Sequence, residues 1–183
     1  MKRMVFGMVL AFNCYASQAS TETDAAAAFK NYWGNFSCGK YKQAAQTILP
    51  SDLQGTREHV LPVMIAEIDS KSAAGHKAAA TFFSAAKKKP QDFDEVDVYT
   101  GLNRLIGADE ATLKILCSAK VNAVKVAMKE KENAVVSYSV RLASGEVVEG
   151  DPVTLVRDGG KWYLKMGMSP QDTAKALKEL YTH

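Results

Sequence analysis

The chain has 183 residues, the size of one ordinary domain with a core large enough to be stable alone. Its 23 basic and 20 acidic residues nearly balance, which leaves no electrostatic footprint for nucleic acid. No cysteine has a second Cys or a His at ligand spacing, so neither a metal nor a cofactor is expected.

The amino terminus has the form of an export signal. Lys2 and Arg3 give the positive start, Met4 to Phe12 the short apolar run, and Ser17-Gln18-Ala19 a small-x-small cleavage site. Cleavage near Ala19-Ser20 makes residues 1–19 the signal and 20–183 a single domain in the periplasm or outside the cell. The apolar run is well short of the roughly 20 residues that span a bilayer, so no integral membrane segment is expected after cleavage. Cys14 raises a lipid anchor, but Phe12 and Asn13 stand where a lipobox wants small residues, and cleavage is favoured. Loss of Lys2 and Arg3 leaves 21 basic residues against 20 acidic ones.

Loss of Cys14 also leaves Cys38 and Cys117 as a pair. In an oxidising compartment a bridge between them is the natural reading, with two buried free thiols as the alternative. A bridge closing a loop of about 80 residues is worth on the order of 4.5 kcal/mol in the chain-entropy model.

In chain order, Thr21-Glu22-Thr23-Asp24 places a carboxylate three positions after a hydroxyl, a capping-box variant that starts a first helix. Ala25, Ala28, Phe29, Tyr32, Trp33 and Phe36 then recur at three- and four-residue steps as one apolar stripe. Such a stripe is ordinary core, with a pocket-lining role as the alternative. Cys38-Gly39 breaks this helix, and Tyr41, Ala44, Ala45, Ile48 and Leu49 make a second that stops at Pro50. Thr56-Arg57-Glu58-His59 starts a third with Val60, Val63, Met64 and Ile68 inward, and Pro62 either kinks it or marks its true start. A fourth runs from about His76 to Lys88, with Ala79, Phe82, Phe83 and Ala86 inward, and ends at Pro90. Lys87, Lys88 and Lys89 suit its negative end as a solvated run. His59 and His76 belong to no Ser/His/Asp or Cys/His arrangement. Asp94 caps a fifth helix with Val98, Leu102, Leu105 and Ile106 on one face, and Gly107 closes it. Asp109 caps a short sixth through Leu113, Leu116 and Cys117, with the cysteine on its apolar face.

From Lys120 the period changes to two. Val124, Val126 and Met128 alternate with lysines, and Lys131-Glu132-Asn133 turns the chain. Val136, Tyr138, Val140 and Leu142 alternate with Ser137, Ser139 and Arg141. Glu146 to Val156 is a strand with a bulge or bend at Gly150-Asp151-Pro152. Asp158-Gly159-Gly160 is a hairpin turn before Trp162, Leu164 and Met166, which alternate with Tyr163 and Lys165. Ser169-Pro170-Gln171-Asp172 starts a last helix through Ala176, Leu177 and Leu180. Helices followed by a meander of strands predict an α+β domain: amino-terminal helices packed on a curved four-stranded antiparallel sheet, with a short carboxy-terminal helix.

Ala28-Phe29 with Tyr32 and Trp33, Gly39-Lys40-Tyr41 with Ala44-Ala45, and the run from Val135 through Trp162-Tyr163-Leu164 resemble the nuclear transport factor 2-like (cystatin-like cone) superfamily. The likeness covers roughly Asp24 to Met166 and is strongest to exported bacterial members that end in such a hairpin. The chain departs from the short members by a helical insertion from about Thr56 to Ser118. The resemblance implies a sheet wrapped round the first helix as a cone, and enzymes of the isomerase and cyclase kind need an acid or base inside it. Here Glu146, Glu149, Asp151 and Asp158 sit at turns or bends, so no catalytic residue is assigned. The leading expectation is a noncatalytic binding module. Either a small apolar ligand is held by Tyr32, Trp33, Tyr99, Tyr138 and Trp162, or a partner protein by Ser137, Ser139, Arg141, Tyr163 and Lys165, with a homodimer through the sheet face as one form. A periplasmic immunity protein against a cell-wall-attacking toxin and a small-molecule isomerase are the alternatives.

Overall fold

The computed structural model describes residues 6–107 and 109–181, with side chains from residue 21 onward. Lys2, Arg3 and Met4 lie outside the described residues, as do the side chains of Phe12, Asn13, Cys14 and the cleavage-site residues, so the export signal is not visible in it. The helices are α1 (Phe6–Phe36), α2 (Tyr41–Ala45), α3 (Pro50–Ala66), α4 (Ala73–Phe83), α5 (Glu95–Ile106), α6 (Glu110–Ser118) and α7 (Pro170–Tyr181). Strands β1 (Lys120–Glu130), β2 (Asn133–Arg141), β3 (Val147–Asp158) and β4 (Lys161–Leu164) form one antiparallel sheet in that order, between α6 and α7. The protein is therefore an α+β chain with its helices ahead of the sheet and a short helix after it. No helix among the described residues is long and apolar enough to cross a membrane.

Local chemistry accounts for most of the boundaries. Ser72 caps α4, Asp94 caps α5 and Asp109 caps α6, each side chain accepting from the backbone N–H three residues on. Ser169 accepts from the Asp172 N–H at 3.1 Å at the start of α7. Gly159 and Gly160, both at positive φ, make the two-residue turn between β3 and β4 that only such residues allow cheaply.

Three boundaries differ from expectation. α1 begins at Phe6, so Thr21 and Asp24 lie within the helix, because the apolar and alanine-rich residues before them are themselves helix formers. Pro50 starts α3 instead of ending α2: its fixed φ suits the first helical turn, where no N–H partner is needed. α4 stops at Phe83, and Lys88 beyond it is not merely solvated. Its ammonium lies 2.8 Å from Asp94 Oδ2 and 2.5 Å from Asp97 Oδ2, while Lys42 reaches Asp97 Oδ1 at 3.2 Å. This cluster ties α2 and the segment after α4 to the start of α5.

Two apolar cores meet at α5. In the first, Phe29 of α1 and Tyr41, Ala44 and Ala45 of α2 pack on Val136, Leu155, Trp162 and Leu164 of the sheet. In the second, Val60 and Met64 of α3, Phe82 of α4, Phe93, Leu102 of α5 and Leu177 of α7 come together. Tyr99 belongs to the first and Val98 to the second, so the two sides of α5 face different cores. Gly101 lets α4 approach closely: a Cβ there would sit 2.7 Å from the Phe82 carbonyl oxygen. The residues from α3 to α5, together with α7, thus build a second core beside the sheet.

A disulfide joins Cys38, just past α1, to Cys117 near the end of α6, as the cysteine pattern predicts. The apolar face expected of α6 is only partly covered, with Leu113 and Leu116 half-buried and Cys117 exposed. α6 has no fully buried residue, and Ile115 is 54% exposed. The bridge is its principal attachment to the body of the protein.

Candidate functional site

α1 crosses one face of the sheet and, with α2 and with Tyr99 of α5, forms the first core on that face. The residues of that face are Val124, Val126 and Met128 of β1, Val136 and Tyr138 of β2, Val153 and Leu155 of β3, and Trp162 and Leu164 of β4. By the period of two, the intervening residues point away from the helices.

On the covered face the aromatic side chains pack against one another. The Tyr138 ring lies 4.5 Å from Phe29 and 5.3 Å from Trp33, centroid to centroid, and Tyr32 stacks on Phe36 at 5.2 Å. The Tyr32 and Tyr99 hydroxyls lie close enough to influence each other's ionisation. Burial, partly offset by the neighbouring Tyr99 hydroxyl, pushes the Tyr32 hydroxyl up to about 12, and burial drives Tyr99 further up still. Both phenols therefore stay protonated near neutrality and can donate a hydrogen bond but not act as a base. Of the five expected ligand residues, Tyr32, Trp33, Tyr99 and Tyr138 are thus brought together, as interlocked packing. Trp162 belongs to the same core but makes none of these ring contacts; it borders an open groove of about 290 Å³ with Asp24, Asn31, Thr47 and Lys161. The indole N–H groups of Trp33 and Trp162 are buried without a hydrogen-bond partner among the described residues.

Tyr138 depends on a glycine. It stands opposite Gly150 across β2 and β3, where the register shifts at the Gly150-Asp151-Pro152 bulge, and a Cβ on Gly150 would enter the tyrosine ring. The expected bend is present, and its purpose is to seat that ring. Gly150→Ala is expected to cost about 1–3 kcal/mol by overpacking, read as a lower urea midpoint with an unchanged slope. The variant Gly145→Ala, at an open turn, serves as a control for backbone strain alone.

The buried carboxylate on which a proton-transfer site would depend exists, but elsewhere. Asp97 is 2% exposed, and both of its oxygens are engaged by Lys42 and Lys88, outside the aromatic cluster. Its place on the amphipathic α5 is legible in sequence only as a polar interruption of an apolar face. Among the described residues no three His, Cys, Asp or Glu side chains gather at metal-binding spacing. His59 and His76 hydrogen-bond Gln171 and the Ile68 carbonyl oxygen, respectively.

The opposite face carries the second expected set. Ser137, Arg141 and Lys165 are exposed, and Tyr163 is half-exposed with the Lys161 ammonium 5.0 Å above its ring. Ser139 is the exception, at 3% exposure. A bulge at Asn122 in β1 folds the Asn122 amide over it: Nδ2 donates to Ser139 Oγ at 3.4 Å, while Oδ1 accepts from Arg141 at 3.1 Å. Alternation within β2 cannot show a bulge in β1, so the exposure assigned to Ser139 is corrected here. Half-exposed Val156 pairs with Tyr163, and half-exposed Val135 pairs with Thr154 on the same face, which also carries Lys125, Lys161 and Lys165.

The two edges of the sheet differ. The β4 edge is closed: Leu49 N–H donates to the Leu164 carbonyl at 2.9 Å, and Leu164 N–H to that of Thr47 at 2.7 Å. Among the described residues β1 has a strand on one side only. Comparison with protein-family models, with characterised proteins and with solved structures finds no match to this chain.

Proposed function

We propose that this chain is an exported, noncatalytic module that binds a partner protein through the bare face of its sheet. The observation that carries the reading is the one-sided covering of the sheet among the described residues. α1 and α2 lie on one face, while the other presents Val135, Val156 and Tyr163 together with Lys125, Lys161 and Lys165. Half-buried apolar residues bordered by charged ones are the composition of a recognition surface. The Cys38–Cys117 bridge supports an oxidising compartment, and with it the export reading of the amino terminus. A helix laid across a four-stranded antiparallel meander supports the likeness to nuclear transport factor 2-like folds. The apolar-ligand version of the function is the weaker one, because Phe29, Trp33 and Tyr138 fill the space between helix and sheet with one another.

The test is site-specific photocrosslinking in the periplasm of a producing cell, with the photoreactive residue at Ser137 or, as a control, at exposed Lys77 on α4. The expected result is a defined adduct from Ser137, weakened by Tyr163→Ala, and none from Lys77. Equal labelling from both positions would remove the sheet face as the binding surface. An adduct at twice the chain mass would identify the partner as a second copy.

A further inference from the structure

We infer that the free edge of β1 is a docking site for an extended segment of another protein, one that alternates acidic with apolar residues and joins the sheet as a fifth strand. This rests on the binding-module reading above and adds the chemistry of the partner.

Three observations converge on the edge. First, between bulges at Asn122 and Lys129, β1 keeps an unbroken antiparallel register with β2 from Ala123 to Met128. On its other side no strand is paired among the described residues, so that length presents one row of N–H and C=O groups to be completed. The β4 edge offers no such row, being closed by the residues between α2 and α3. Second, the side chains of β1 divide by face. Val124, Val126 and Met128 lie toward α1 and are only partly covered, whereas Lys120, Lys125 and Lys129 are exposed. An added strand whose apolar residues fall beside the valines and methionine would extend the first core, and its alternate residues would fall beside the lysines. Third, the charge is one-sided. β1 carries three basic residues, Lys120, Lys125 and Lys129, to one acidic, Glu130, and Glu130 is held by the Asn133 amide at 3.1 Å.

Lysines and bulges on an edge strand also guard against pairing with a copy of the same chain. That guard selects the occupant. A second β1 laid antiparallel on the first brings Lys125 and Lys129 of both chains onto one face, where like charges oppose pairing, whereas a segment with Asp or Glu at alternate positions meets them favourably. Main-chain bonds supply the attraction in strand addition, and the alternate side chains supply the choice of partner.

The experiment uses the full chain, isotope-labelled, titrated with a synthetic peptide that alternates glutamate with valine. The expected result is amide shifts and slowed hydrogen exchange confined to residues 120–130, with affinity falling as salt rises. Three changes are expected to weaken binding at least about tenfold, or roughly 1.4 kcal/mol: N-methylation of alternate peptide amides, lysine in place of glutamate in the peptide, and the protein double substitution Lys125→Glu with Lys129→Glu. The double substitution also favours the lysine peptide, which distinguishes reversed charge from a lost fold. Shifts centred on Tyr163 and Lys165, no shift at saturating peptide, or self-association through β1 without peptide would each overturn the inference. A Ser137 adduct whose yield the peptide does not reduce would leave the face reading standing while the edge inference fails. Binding at β1 with no Ser137 adduct would do the opposite.

Discussion

Replacing Cys38 and Cys117 by serine is expected to lower the unfolding free energy by about 4.5 kcal/mol, measured by urea denaturation against the oxidised parent. The magnitude follows from the loop: the bridge spans 79 residues and so removes many conformations from the unfolded chain. A local effect accompanies the global one. α6 contributes no fully buried side chain, and its contacts with the rest of the fold are few, so without the bridge Glu110–Ser118 is expected to exchange its amide protons close to the rate of an unstructured peptide. α5, which buries Val98, Tyr99 and Leu102, is expected to stay protected. A double variant that unfolds at the parent's urea midpoint, with α6 still protected, would show that packing rather than the bridge holds this helix.

Phe29→Ala is expected to cost about 3–5 kcal/mol, the usual range for a fully buried aromatic whose neighbours cannot collapse into the space. Phe29 is completely buried and touches both Trp33 on its own helix and Tyr138 on β2, so its loss removes the wedge between α1 and the sheet. For a chain of this size the change corresponds to a fall in Tm on the order of 10 °C by calorimetry. Leu180→Ala, at a side chain 65% exposed, is the matched control and is expected to stay within about 0.5 kcal/mol of the parent. A loss below about 1 kcal/mol at Phe29 would mean that the helix is not docked on the sheet as the ring contacts require. Together the two substitutions separate the ways in which the helices are held: α1 by packing and α6 by a covalent tie.

How far the residues spoke for themselves varied with the range of the interaction. The period-two pattern of β2, the Asp158-Gly159-Gly160 turn, and the caps at Asp94, Asp109 and Ser169 were legible because each rests on contacts within a few positions of chain. The cysteine pair was legible by elimination. Ser139 was misread because its cover comes from Asn122, on another strand, through a bulge that alternation cannot reveal. Lys88 was misread because its partners, Asp94 and Asp97, meet it only after the chain has turned through Pro90. The aromatic residues were correctly placed on inward stripes, but a stripe does not say whether its side chains line a space or fill it. The ring separations near 5 Å decide that they fill it.

By itself, then, the sequence determined the order of helices and strands, the inward stripe of most elements and the pairing of Cys38 with Cys117, because periodicity, turn chemistry and composition act locally. Tertiary structure alone decided that, among the described residues, the helices cover one face of the sheet and not the other, that α3 to α5 join α7 in a second core, and that β4 is closed at its edge while β1 has no strand beside it on its outer side. Those outcomes depend on which surfaces meet across long separations in the chain, and no local pattern records where two such surfaces will touch.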